Sequence, residues 1–502
     1  MTPHSDGVAE EPTTGLELSE FEAEFDARTP EEPVDAEKTP LVIKLLVAAT
    51  FVVILNETIM INAMPRLMAD FDVTARSAQW ISSIFMLTMA AVIPVTGWFL
   101  QRVTTRAAYT IAMSTFALGT IICGTAPIFE MLLVGRAVQA AGTAVMMPLL
   151  MTTVMTVVPE QARGRVMGNM MLAISVAPAM GPALSGLILN VGSWRLIFAF
   201  VLPVVVVVSV LSLRHLKSVG ETKKTPVSWS SVVMAALGFA ALVYGLSEVG
   251  ARSAGQLIVF IGVGVALVAV FVLWQLRLQR VGSPLLDLRA LTHRTFTVSL
   301  VLMSVAFMAF LGSMILLPLY LQDLRGLSAM QTGLLVMPGG LAMGLLGPRV
   351  GSVYDRIGAR PLVIPGAVLM TVVLFTMSRV IDADTPYALI LGLHIVLMVS
   401  LASIFTPMFT LGLSALTPEL YSHGSSILGT LQQVAGAVGT AAVVVILENR
   451  SKSLVSGGST ADEGFVGGLQ WALLAGVVFG LVVVALSLLL PRKADLPAAP
   501  QH

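Results

Sequence analysis

Two charged side chains interrupt apolar segments of the chain. Glu57 lies about seven residues inside the far end of an apolar run that begins near Leu41, and Arg136 lies about eight residues inside the end of another run, so in helices both would be roughly 10–12 Å deep. Buried charge costs at least a few kcal/mol unless it faces a cavity, finds a partner or changes its protonation state. We therefore expect Glu57 to bind and release protons and Arg136 to pair or communicate with it. A plain polar contact between helices is the alternative for Glu57.

Amide and thioether side chains within the apolar segments are candidates for binding a ligand. Gln139 continues the helical face of Arg136 at i+3. Thioethers suit an adaptable pocket, although ordinary filling of apolar helices is the alternative for methionine. Gln432 and Gln433 are adjacent and could either form hydrogen bonds to a ligand or join helices by hydrogen bonds. The expected cavity residues are Asn56, Asn62, Gln139, Met146, Met147, Asn169, Gln432 and Gln433.

The composition indicates an integral membrane protein. Of 502 residues, 56% are hydrophobic and only 12% are charged, and the mean hydropathy is +0.88. The formal net charge is zero, which gives nucleic-acid binding no electrostatic support. Cys123 is the single cysteine, so an intrachain disulfide and a thiolate metal site are excluded. The sequence has no nucleotide-binding or hydrolase motif, so we expect neither an enzyme nor a cofactor.

The apolar segments predict an all-α protein with fourteen membrane-spanning helices arranged as six, two and six. The first predicted division is an acidic disordered tail at 1–40, which is followed by a six-helix bundle at 41–214. Two inserted helices with flanking cytoplasmic loops then occupy 215–293. A second six-helix bundle at 294–490 and a short cytoplasmic tail at 491–502 complete the chain. Lys and Arg are about twice as frequent in the connections on the side of the termini as on the other side. Both termini are therefore predicted to be cytoplasmic.

The two six-helix sets are internal repeats. The segment Gly97–Arg106 aligns with Gly351–Arg360, 254 residues later, and the same offset superimposes the first three predicted helices of each set. Parallel repeats of this kind occur in transporters with two related halves. The second copy carries the complete pattern G-x-x-x-D-R-x-G-x-R, whereas Gln101 and Thr104 replace the acid and a glycine in the first.

Further motifs occur in order along the chain. Arg136 and Gln139 form an R-x-x-Q pattern, and residues 177–186 resemble G-x-x-x-G-P-x-x-G-G, with Gly181 and Pro182 retained. With these motifs, residues 41–490 resemble the fourteen-helix drug:proton antiporters of the major facilitator superfamily. In the first-helix motif of that family Asn56 stands at the usual acidic position, so the proton-binding role is carried over to Glu57 instead.

The resemblance implies proton-coupled export of amphipathic, cationic drugs or dyes by alternating access, with Glu57 and Arg136 as the proton-coupling pair. It implies partners limited to such small molecules, protons and the lipid bilayer of the cytoplasmic membrane, and function as a monomer. Export of one endogenous lipid-like or siderophore-like product is the alternative within this class, and a passive channel is the alternative outside it. The residues expected to control the conformation are Gln101, Arg102, Arg106, Asp355, Arg356, Arg360, Gly181 and Pro182.

Overall fold

The structure, a computed structural model, describes residues 40–216, 218, 222, 226–249, 252–282 and 284–492, with the side chains of residues 61, 62, 75, 182, 183 and 254 excepted. The acidic tail predicted for residues 1–40 lies outside this part apart from its last residue. Most of the predicted C-terminal tail and part of the loop that follows residue 216 lie outside it as well.

Fourteen helices in the described part are long and apolar enough to cross a membrane, and no strand is found there. This confirms the predicted fold class. The first six are α1 (Leu41–Phe71), α2 (Ala75–Arg102), α3 (Thr105–Gly124), α4 (Phe129–Val157), α5 (Arg163–Val191) and α6 (Arg195–His215). Then come α7 (Trp229–Ser247) and α8 (Ala254–Val281). The last six are α9 (Arg294–Leu319), α10 (Ala329–Ile357), α11 (Arg360–Val380), α12 (Tyr387–Ser414), α13 (Tyr421–Ser456) and α14 (Ala461–Ser487).

Helices α1–α6 and α9–α14 are arranged alike. In the first set α1 packs on α4, α5 and α6, and α3 packs on α4 and α6. In the second set α9 packs on α12, α13 and α14, and α11 packs on α12 and α14. The two sets meet along α5–α10 and α2–α13, which are equivalent pairs in the two repeats. The sequence repeat is therefore also a repeat of helix neighbours, with a pseudo-twofold relation between the halves.

Glycine allows α5 and α10 to approach at backbone distance. A Cβ atom added to Gly168 or Gly351 would collide with the carbonyl oxygen of Gly347 or Gly164, respectively, on the facing helix. Further along α10, an added Cβ on Gly340 would lie 2.9 Å from the Cβ atom of Ala179. Small residues on both helices thus permit close packing in the absence of any hydrophobic driving force between lipid-exposed helices.

Helices α7 and α8 pack against each other, and α7 also packs on α2 and α13. At one end of α7 the ring of Tyr244 stacks on Trp80 of α2 at 5.7 Å, and Glu248 lies 3.9 Å from Arg76. In the segment that follows α8, the backbone N–H of Asp287 donates to Nδ1 of His423 of α13. The inserted pair is therefore attached to both halves of the protein.

We call the face at which α1 begins and α14 ends the terminal face. Hydrogen bonds between α1–α6 and α9–α14 lie in the half nearer this face; they join Gln101 to Glu419, Thr152 to Ser425 and Ser426 to Ile93. The two halves are thus closed together at the terminal face.

Candidate functional site

Glu57 lies near the middle of α1. The helix continues through Pro65 to Phe71, beyond the predicted end near residue 64, and Asp72 then adopts a left-handed conformation with φ 50°. Proline removes a hydrogen-bond donor but does not force a helix to end when packing holds the turns in place. Glu57 is consequently deeper in the bundle than its position in the apolar run indicated, and its side chain is only partly buried.

The carboxylate of Glu57 has neither a hydrogen bond nor an ion pair among the described residues. The next residue, Thr58, donates its hydroxyl to the carbonyl of Leu55 at 3.0 Å and lies against Gly181 of α5. Helix α5 therefore contacts α1 beside Glu57 while its other face contacts α10. Glu57 therefore lies where a movement of α5 relative to α10 would change the groups around its carboxylate.

Arg136 is only 1% exposed, yet it forms no ion pair with a carboxylate of the described residues. Its Nε donates to the carbonyl oxygen of Ile81 at 3.4 Å, and a terminal nitrogen donates to Oε1 of Gln139 at 3.1 Å. The guanidinium carbon lies 4.3 Å from the ring centroid of Phe85. A desolvated cation–π contact contributes about 2 kcal/mol or more, so neutral groups hold this buried charge.

Gln139 orients Arg136 from within the same helix. Its Nε2 donates to the hydroxyl of Thr120 at 2.9 Å, which leaves Oε1 free to accept from Arg136. The thiol of Cys123 lies 3.8 Å from the same oxygen. Gln139 is fully buried, so the structure assigns it to this network and does not expose it to a cavity in this conformation.

Glu57 and Arg136 are close enough for their charges to interact, but their nitrogen and oxygen atoms are not within the 4.0 Å of an ion pair. Arg136 is satisfied by α2 and α4, whereas Glu57 is not satisfied by any described group. The arrangement provides a fixed cation beside an acid that remains available. Such an acid can take up a proton or meet a ligand cation without breaking a salt bridge first.

The other expected cavity residues are placed differently. Asn56 is fully buried with both side-chain amide atoms unpartnered, and Met146 is fully buried as well. Partly buried positions are occupied by Met147, Asn169, Gln432 and Gln433. The side chains of Asn62 and of Pro182 lie outside the described part of the structure. A substrate-binding role for these residues remains a prediction.

At the terminal face, Asp355 of α10 caps α5. Its two carboxylate oxygens accept from the backbone N–H groups of Gly164 and Arg165, each at 2.8 Å. A helix N-terminus carries about half a positive charge, which favours a carboxylate there. At the pseudo-equivalent place Gln101 instead donates its Nε2 to the carbonyl of Glu419 at 2.7 Å. Four more residues expected to act here lie at the same face: Arg102, Arg106 and Arg356 are exposed, and Arg360 is partly buried.

Two contributors to these sites carried no signal in the sequence, and a third carried only a partial one. Phe85 and Ile81 belong to an unremarkable apolar segment, and only their position beside Arg136 identifies them. Arg163 joins the halves by donating to the hydroxyl of Ser414 and to that of Tyr421, each at 3.3 Å. Its position directly before a helix was visible, but its partners more than 250 residues away were not.

Known proteins resemble this chain over most of its length. The family model described as Major Facilitator Superfamily matches residues 46–440. The uncharacterized MFS-type transporter YcnB of Bacillus subtilis is 36% identical over 463 residues, which cover 92% of this chain and 97% of the relative. The lincomycin resistance protein LmrB of Listeria monocytogenes is 36% identical over 454 residues, covering 90% and 95%. The crystal structure of the human organic anion transporter MFSD10 shares the fold, with a TM-score of 0.63, 13% identity and coverage of 89% and 100%.

Proposed function

The chain belongs to the major facilitator superfamily of membrane transporters, and we propose that it exports amphipathic, cationic small molecules across the cytoplasmic membrane in exchange for protons. The similarity to a protein named for lincomycin resistance supports small drug-like compounds as the cargo. The abundance of 27 methionines supports an adaptable binding surface.

One observation carries the proposal of proton coupling. Glu57 is the one Asp or Glu in the central part of α1–α6, and its carboxylate has no partner among the described residues. An unpartnered carboxylate in a bilayer is costly when charged, so binding of a proton or of a cationic ligand to it is favourable. Competition between these two occupants at one group produces antiport without ATP.

The excess of Lys and Arg at the terminal face supports a cytoplasmic location for that face. With this orientation, closure of the halves by Asp355 and Gln101 corresponds to a protein that is shut toward the cytoplasm. Glu57 would then receive its proton from outside in this state. In the proposed cycle, a protein closed at this face and protonated from outside stands between release of the exported compound and reopening toward the cytoplasm.

The remaining step requires the halves to part at the terminal face. Protonation neutralises Glu57 and removes the attraction between it and Arg136, whose own neutral contacts keep it in place. The opening breaks the bonds of Asp355 to the N-terminus of α5 and exposes Glu57 to the cytoplasm. There the carboxyl group releases its proton to the cytoplasm, and the incoming cation binds the carboxylate in its place. The loaded protein then returns to the state that is closed at the terminal face.

Efflux from proteoliposomes tests this proposal, with ethidium as a fluorescent amphipathic cation. Purified protein should drive ethidium transport against its gradient when an inward proton gradient is imposed, and a protonophore should abolish it. Protein-free liposomes and the neutral, non-amphipathic solute mannitol serve as controls. Transport of equal rate with and without the proton gradient would show a passive pathway and end the proposal.

A further inference from the structure

We propose that Phe85 is a positioning residue in proton coupling: its ring holds the charged guanidinium of Arg136 in place so that Glu57 is free to lose and gain its charge. This inference rests on the proposed function, because it assigns a role within the same proton-coupling site. Phe85 acts only through Arg136, by holding its guanidinium.

The contacts of Arg136 carry the argument. A buried guanidinium normally requires an anion, but here its contacts are the Ile81 carbonyl, the Gln139 amide oxygen and the face of Phe85. The hydrogen bond to Ile81 is long, at 3.4 Å, and that to Gln139 is of ordinary length, at 3.1 Å, whereas the ring is close, at 4.3 Å from the guanidinium carbon. Phe85 is itself only 1% exposed, so water does not weaken the contact.

The position of the ring decides what it does. Phe85 and Ile81 are one helical turn apart on α2, so that one face of this helix supplies both the ring and the carbonyl. Arg136 is on α4, and the acid is on α1, so the cation is held on the α2 side. Without the ring, the guanidinium would be drawn toward the nearest anion, which is Glu57.

The charged and titratable groups that face Arg136 are few. Glu57 of α1 and the thiol of Cys123 on α3 are the two whose charges interact with it. All other Asp, Glu, Lys, Arg and His residues in the described part of α1–α6 lie near the helix ends, as Lys44, Arg66, Arg76 and Glu130 do. A change in the position of Arg136 should therefore change the protonation of Glu57 more than that of any other described carboxyl group.

Infrared spectroscopy of the purified protein measures the protonation of Glu57 directly. The C=O band of the protonated carboxyl is followed as the pH is varied, and the spectrum of Glu57→Gln identifies the contribution of this residue. In Phe85→Leu, movement of the guanidinium toward Glu57 should shift the midpoint of this band to lower pH by about one unit. In Phe85→Trp, which retains a cation–π partner, the midpoint should stay within about a third of a unit of the wild type.

Phe116→Leu is the matched control, since Phe116 is equally buried in α3 and no arginine of the described residues lies over its ring. It should leave the midpoint unchanged. An unshifted midpoint in Phe85→Leu, or equal shifts in Phe85→Trp or Phe116→Leu, would overturn the positioning role. The measurement needs no substrate, so a wild-type protein that fails to export ethidium would refute the proposed function and leave this result readable.

Discussion

The carboxylate of Asp355 accepts a hydrogen bond of 2.8 Å from the backbone N–H of Gly164, although the two residues are 191 positions apart in the chain. The contact joins the end of α10 to the beginning of α5, and thus one half of the transporter to the other. When the two helices separate, the contact between this carboxylate and the N-terminus of α5 is broken. The first prediction concerns this contact.

Asp355→Asn should favour the conformation that is open at the terminal face. Charge-assisted hydrogen bonds are roughly twice as strong as neutral ones, so we expect about a five- to tenfold rise in the open population. Spin labels on cysteines at the exposed positions Gln161 and Thr417 report the separation of the halves, and native Cys123 is buried. Asp384→Asn, a change of an exposed loop acid, is the control. Unchanged distance distributions in Asp355→Asn would place the lock elsewhere.

Glu57→Gln should retain the fold and lose gradient-driven export. The amide cannot exchange a proton near neutral pH, so ethidium efflux driven by a proton gradient should fall at least about tenfold. Binding of ethidium, measured by fluorescence anisotropy, should weaken because the carboxylate charge is gone. Glu130→Gln makes the same change at an exposed acid at the start of α4 and should transport as the wild type does. Full active efflux by Glu57→Gln would exclude this residue from proton coupling.

Gly168→Ala should disrupt the closed terminal face. The added methyl group would meet the carbonyl of Gly347, a backbone atom that can give way only if α5 and α10 separate. Overpacking of this kind costs about 1–3 kcal/mol, so the labelled halves should move apart or the unfolding temperature should fall. Gly186→Ala on the same helix is the control, because its nearest neighbour is the Met330 sulfur at 3.8 Å. Equal behaviour of the two variants would show that the close approach is not required.

Asp287→Asn should lower thermal stability at pH 7, and by less as the pH falls below about 4. Burial by itself raises the pKa of Asp287, but hydrogen bonds from Arg289 and the charge of His423 outweigh burial and hold the pKa below its usual range. A lowered pKa stabilises the fold above the unfolded-state value near 4, and this contribution disappears as the pH falls through the folded-state value. Asp287 also accepts from Gln279 of α8, so its loss loosens the attachment of the inserted pair.

Unfolding followed by tryptophan fluorescence at both pH values checks this prediction. The difference between wild type and Asp287→Asn should be about a few degrees at pH 7 and smaller at pH 3. Asp384→Asn again supplies an exposed comparison. A difference that is the same at both pH values would mean that the carboxylate charge does not contribute.

The sequence by itself determined the class, the number of helices and the repeat. These follow because a bilayer requires about twenty apolar residues per helix and penalises charge, so composition and spacing alone reveal the spans. The same penalty singled out Glu57 and Arg136. The alignment of Gly97–Arg106 with Gly351–Arg360 was likewise visible without coordinates, and the helix neighbours agree with it.

Only the tertiary structure decided which side chains meet. One residue turns a helix by about 100°, so Asn56 is sealed inside the first half whereas Glu57 is partly exposed. Arg136 obtains Phe85 and Ile81 from α2, about fifty residues away, and nothing in an apolar segment tells which ring will face a cation. Because contacts between helices depend on their rotation and approach, the partners of a buried charge follow from packing and not from spacing along the chain.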